Sequence, residues 1–113
     1  MASLNLLGTV EAALRAIAEP RRRQILRLVR DEELSAGEIA SHFEVTRSAV
    51  SQHLRVLKDA GLVSERRHGT RRIYRIRPEG LAELREFIDG LWEIKLATLK
   101  RVAEAEERRL RGR

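Results

Sequence analysis

Apolar residues recur at helical spacing through the first thirty positions. In "LLGTVEAALRAIAE" (6–19), Val10, Leu14 and Ile17 fall on one face, which predicts a first helix. Pro20 suits the opening turn of a second helix, with Ile25, Leu28 and Val29 turned inward; Arg21, Arg22 and Arg23 at its start are read as solvated, with contact to a phosphate as the alternative. The two helices together occupy 6–30, and "DEEL" ends the second. Ser35 followed by Glu38 is a capping-box signature, so a third helix starts there with Ile39, Ala40 and Phe43 inward. After the tight turn "EVT", Thr46 is placed to cap a fourth helix, whose stripe is Val50, Leu54 and Leu57. Gly61 is placed to end it in a left-handed conformation.

Beyond Gly61 the period changes. "LVSERRHGTRRIYRIR" (62–77) loses helical spacing, and its β-branched Val63, Ile73 and Ile76 predict two short strands around a turn at His68-Gly69-Thr70. A helical stripe returns after Pro78 with Leu84, Ile88, Leu91/Trp92, Leu99 and Val102/Ala103. Such a helix, over 79–110, would reach roughly 48 Å, more than a chain this short can cover by itself. Gly90 within it either kinks the helix or permits a close contact. The pattern predicts one domain over 1–113, mainly α with a small β-hairpin, in which 35–61 forms a helix-turn-helix and 62–77 a wing.

Charge sharpens this picture. The 113 residues carry 23 Lys+Arg against 17 Asp+Glu, a net +6. Residues 47–77 hold nine basic and two acidic groups, a net +7, whereas the segments on either side are close to neutral. A positive charge focused on one segment calls for a polyanionic partner. Aromatic content of 4% argues against stacking of bases on an aromatic platform. The absence of cysteine removes disulfides, thiolate metal sites and thiol redox chemistry. No basic leader or run of 18 apolar residues is present, so the expected compartment is the cytoplasm, with no membrane partner.

The fourth helix shows where the polyanion would dock. Opposite its apolar stripe, and with Thr46 at its start, it presents Arg47, Ser48, Ser51, Gln52 and Arg55. An ordinary solvated face mixes Lys with Glu; this one is nearly free of acid. Arg pairs with guanine O6/N7, Gln with adenine N6/N7, and Ser with a base or a phosphate, all in the DNA major groove. Arg66, Arg67, Arg71 and Arg72 flank the hairpin turn, where they would meet phosphates, with Gly69 allowing close backbone approach. The alternative for these arginines is a charged strand edge that blocks aggregation. His68 at the tip would donate to a phosphate, enter a minor groove, or be an idle turn residue. Tyr74 reads as packing, and His53 as a structural, half-buried histidine.

His42, His53 and His68 form no pair at ligand spacing, so neither a metal nor another cofactor is expected. Ser48 and Ser51 lie near His53, but no carboxylate is placed to orient it, which speaks against an enzyme. A winged helix that binds RNA and a protein-interaction module remain the alternatives to a DNA-binding regulator.

Three stretches, "ALRAIAEPRRRQILRLV", "SAGEIASHFEVTRSAVSQHLRVLKDAGLV" and "ERRHGTRRIYRI", resemble the ArsR-type winged-helix repressors over about residues 10–80. The resemblance implies a homodimer joined through the first and last helices and bound to an operator of two-fold symmetry. On this chain those helices offer Val10, Leu14, Ile17, Leu84, Ile88, Leu91, Trp92 and Leu99. The resemblance also matches Ser35, Ser51, Gln52 and the wing arginines to DNA-binding positions. Metal-sensing members carry cysteines where this chain has "LSAGEIA", or histidines on a last helix that here has none. The chain therefore resembles the branch without a metal switch, and its inducer is left open. Glu44 stands in the tight turn where many helix-turn-helix units have glycine.

Overall fold

The computed structural model describes residues 2–112, leaving aside the side chains of residues 2–8, 94 and 95. Helix α1 (Ala2–Ile17) ends two residues before the sequence pattern suggests. Glu19 is drawn instead into the N-cap of α2 (Pro20–Leu28), where its carboxylate accepts from Arg22 N at 3.1 Å. A two-residue strand β1 (Leu34–Ser35) follows, then α3 (Ala36–Ala40) and α4 (Arg47–Asp59). Strands β2 (Val63–His68) and β3 (Arg71–Ile76) make the hairpin, and α5 (Pro78–Arg111) ends the chain.

The caps follow from side-chain chemistry. Ser35 Oγ accepts from Glu38 N at 3.1 Å while Glu38 Oε1 accepts from Ser35 N at 3.0 Å, a complete capping box. Thr46 Oγ1 accepts from Ala49 N at 3.1 Å and starts α4. At the other end, Leu62 N donates to Leu57 O and Gly61 N to Lys58 O, with Gly61 at φ +76°. That is a Schellman ending, and it needs a residue at ease with positive φ.

The sheet is antiparallel in the order β1-β3-β2. Two residues, Gly69 and Thr70, join His68 to its cross-strand partner Arg71. Gly69 takes φ +66°, as the first central position of a type II′ turn requires. His68 is therefore the last strand residue rather than part of the turn. β1 pairs Leu34 with Tyr74 and Ser35 with Ile73, extending the hairpin to three strands.

The core gathers Ala13, Ala16, Ile25, Val29, Ile39, Val50, Leu54, Leu57, Leu62, Val63 and Tyr74 between the helices and the inner sheet face. α5 joins it only at its start. Gly80 lies so near the end of α4 that an added Cβ would come within 1.9 Å of Gly61 O. Farther along, α5 leaves the body of the protein. The radius of gyration is 19.9 Å and the longest dimension 74 Å, against a radius of about 13 Å for a compact chain of this length. Gly90 has nothing within 4 Å of an added Cβ and α5 runs through it as one helix, so it provides neither a break nor a close contact within the protomer.

Candidate nucleic-acid interface

Helical periodicity places the two faces of α4 in opposite surroundings. Val50, Leu54 and Leu57 are buried, and Arg47, Ser48, Ser51, Gln52 and Arg55 are exposed, as is the capping Thr46. The exposed residues form a convex polar ridge. The Arg47 guanidinium does not stand straight out from it. It leans across α3, where a Cβ on Gly37 would meet its Nη2 at 3.2 Å.

The hairpin rises beside this ridge, with a groove between the two. One part of the groove, of about 730 Å³, lies between α3, the start of α4 and the wing; Ser41, Arg47, Thr70, Arg71 and Arg72 line it. A second part, of about 490 Å³, continues along α4 past Ser51, Arg55 and Lys58 to Tyr74. Ala36 and Arg72 border both parts. The groove walls carry five basic side chains, with Glu38, Asp59 and Glu65 as the acids.

Strand alternation sorts the wing arginines into two pairs. Arg67 lies directly opposite Arg72, on the face that carries Val63 and Tyr74 and looks toward α4. Arg66 and Arg71 project from the other face. Arg66 Nη2 donates to Glu33 Oε2 at 2.5 Å, and Arg71 Nη2 to Glu38 Oε1 at 2.8 Å and to Ser35 Oγ at 3.0 Å. The four arginines that look equivalent in sequence are thus two without an acid partner, of which Arg72 approaches the Tyr74 hydroxyl, and two bound to acids. Hydrogen bonding from Arg66 holds the Glu33 carboxyl below the ordinary range, and the Ser35 backbone N–H does the same for Glu38. Ser35 itself is buried, with its hydroxyl engaged by Glu38 N and Arg71, which makes it a cap rather than a surface donor. His68 and Gly69 are exposed at the tip.

One further sequence reading changes. Arg22 and Arg23 are not merely solvated. Arg22 Nε donates to Ala16 O at 2.6 Å and its Nη2 to Arg15 O at 3.2 Å, while Arg23 Nη1 donates to Ile17 O at 2.8 Å. They satisfy the open carbonyls at the end of α1. Arg22 Nη1 also approaches His53 Nδ1 at 3.3 Å, tying the half-buried histidine of α4 to the α1–α2 corner. Tyr74 is buried, and its hydroxyl donates to Glu65 Oε2 at 2.8 Å.

The residues expected at a dimer interface divide as well. Leu84 is only 6% exposed and belongs to the protomer's own core, so it is removed from that set. Val10, Leu14 and Ile17 are half-buried. Ile88, Leu91, Trp92 and Leu99 are exposed, and Leu96, Val102 and Leu110 extend their stripe. Among the described residues, no cluster of three His, Asp or Glu side chains is placed to hold a metal ion, and no helix is long and apolar enough to cross a membrane.

Known proteins share this arrangement. The family model described as "Bacterial regulatory protein, arsR family" matches residues 19–65, from the α2 cap through the helix-turn-helix into the wing. The HTH-type transcriptional regulator Rv2034 of Mycobacterium tuberculosis is 42% identical over 96 residues, which is 85% of this chain and 90% of that protein. The transcriptional repressor SdpR of Bacillus subtilis is 42% identical over 55 residues, covering 49% of this chain and 61% of the repressor. Among solved structures, the homodimeric winged helix-turn-helix DNA-binding domain Mb0332 of Mycobacterium bovis superposes with a TM-score of 0.62 at 35% identity, over 81% of this chain and 82% of that one. With its capped α4, its wing and this extent of identity, the chain belongs to the arsR family of bacterial regulatory proteins.

Proposed function

We propose that this protein is a homodimeric transcriptional repressor that binds double-stranded DNA at a near-palindromic operator. The observation that carries the reading is the polar ridge of α4 beside a groove walled by Arg47, Arg55 and Arg72. A helix of this kind enters a major groove about 12 Å wide, and the wing then lies along the adjacent backbone. In this reading Ser48, Ser51 and Gln52 meet base edges, while Arg47, Arg67 and Arg72 meet phosphates. His68 and Gly69 follow the backbone at the wing tip.

The exposed stripe of α5 supports self-association. Leu91, Leu96, Leu99 and Val102 are each more than half exposed, and a contiguous apolar surface of that extent favours a partner. A two-fold related copy, joined through α1 and α5, would set two α4 helices about 34–36 Å apart, one turn of DNA. Such a protein works where the chromosome is, in the cytoplasm, and carries out no chemistry on its ligand.

Selection of bound fragments from a random-duplex pool tests the reading directly. A two-fold symmetric consensus is the expected result, and Gln52→Ala should relax one base-pair position by about 1–3 kcal/mol. An unchanged ranking of sequences in that variant would remove α4 from the major groove. Competition by structured RNA at equal strength would favour an RNA-binding winged helix instead. A protein-interaction module would retain no duplex at low salt.

A further inference from the structure

Two of the four wing arginines are already engaged by acids that lie outside the hairpin. Arg66 donates to Glu33 and Arg71 to Glu38, both from the outer face of the sheet. Glu38 is no loose surface carboxylate. Its Oε1 also accepts from Ser35 N, so the capping box fixes it at the edge of the 730 Å³ groove that Arg47 and Arg72 line. There it offers Arg71 what a phosphodiester would offer, an anionic oxygen at hydrogen-bonding distance.

We propose that Glu33 and Glu38 are affinity-setting residues: resident anions that compete with DNA phosphate for Arg66 and Arg71 and so hold down binding to any duplex. The proposal rests on the reading of this surface as a DNA-binding face. Both pairs are substantially exposed, with side chains 54% and 38% exposed for Arg66 and Glu33, and 56% and 51% for Arg71 and Glu38. Exposed pairs are weak and screened by salt, so a phosphate can displace either acid. Displacement leaves a carboxylate beside the DNA backbone, and that repulsion opposes every complex alike, whatever its sequence. The acids therefore lower affinity without changing which sequence is preferred.

The test uses the full chain and the variants Glu33→Gln and Glu38→Gln. Glutamine at the third position of a capped helix still completes the capping box, so the fold at α3 is retained. Binding to a random-sequence duplex is followed by fluorescence anisotropy between 50 and 200 mM salt. Each variant is expected to bind about two- to fivefold tighter, the range that an exposed ion pair spans. The plot of log affinity against log salt should steepen by up to about 0.9, because no displaced carboxylate remains to take up a cation against the one that the phosphate releases. In an Arg71→Ala background, Glu38→Gln should leave that slope unchanged. Glu107→Gln, which removes the same charge near the far end of α5, should alter neither quantity.

Wild-type affinity and slope in both glutamine variants would overturn the proposal, as would an equal steepening without Arg71. If the wild-type chain binds duplex and the variants bind no tighter, the proposal falls and the DNA-binding reading stands. If no form of the chain binds duplex at any salt, both fall together.

Discussion

Arg67 and Arg72 face each other directly across the wing, on the sheet face that looks toward α4. One residue away on each strand, Arg66 and Arg71 project from the opposite face, paired in the register with Ile73 and His68 and held by Glu33 and Glu38. The two-residue period of the strand decides which cations remain open to a ligand. Arg67→Ala and Arg72→Ala should each weaken binding to all duplexes and lower the salt slope by about 0.9. Arg71→Ala should lower it less, because its charge is already partly neutralised. Anisotropy titrations at several salt concentrations measure all three; equal losses would erase the distinction between the two faces.

The exposed stripe of α5 is expected to hold two copies together. Leu91→Asp combined with Leu99→Asp places charge in the middle of it. Light scattering should then report 13.0 kDa rather than twice that mass. Operator affinity should fall about tenfold or more, since two half-sites no longer act as one. Circular dichroism should stay nearly unchanged, because both residues are exposed and outside the protomer core. An unaltered mass would mean that α5 is not the interface.

Tyr74 links the wing to its base. Burial, followed by donation to Glu65, raises its pKa from the ordinary 10.0 to about 12. The folded protein therefore favours the protonated phenol. That contribution is complete below pH 10 and is lost as pH climbs toward 12, by at most about 1.4 kcal/mol per pH unit. Tyr74→Phe should cost on the order of 1.5–3 kcal/mol at neutral pH through the lost bond to a carboxylate. The difference in unfolding free energy between wild type and variant should then shrink between pH 10 and 12. A difference that stayed constant across that window, in urea titrations, would show that the phenol is not held protonated by the fold.

Gly80 is expected to tolerate no side chain. An added Cβ would overlap the Gly61 carbonyl, which belongs to backbone and cannot swing aside. Gly80→Ala should destabilise the protein by about 1–3 kcal/mol or more, although alanine is the better helix former. Gly90→Ala, on the same helix with open space around it, should instead stabilise by about 0.5–1 kcal/mol. Thermal melts of the pair separate crowding from propensity, and similar shifts in both would contradict the contact.

Much of the architecture is written in local signals. The Ser35–Glu38 capping box, the Thr46 cap and the Gly61 ending each depend on residues within five positions of one another. The stripe of Val50, Leu54 and Leu57 fixes which side of α4 faces solvent, and hence the polar ridge. What escaped the sequence depends on distance along the chain. β1 is two residues long, too short to display a period, and is defined only by pairing with Tyr74 and Ile73. Arg66 meets Glu33 and Arg71 meets Glu38 across 33 positions. Until the sheet forms, nothing separates them from Arg67 and Arg72. Arg22 looks like any cation at the start of a helix. Only the corner between α1 and α2 brings the carbonyls of Arg15 and Ala16 within its reach. Leu84 shares a stripe with Ile88 and Leu91, and its burial depends on α5 turning away from the core just beyond it.

The contact of Gly80 with Gly61 has a mechanical consequence. The outermost rod of the molecule is seated, backbone on backbone, against the tail of the segment that carries Gln52, with no side chain between them to act as a cushion. If α4 reads DNA as proposed, a load on that rod is expected to shift the angle at which Gln52 is presented, much as the handle of a tool aims its tip.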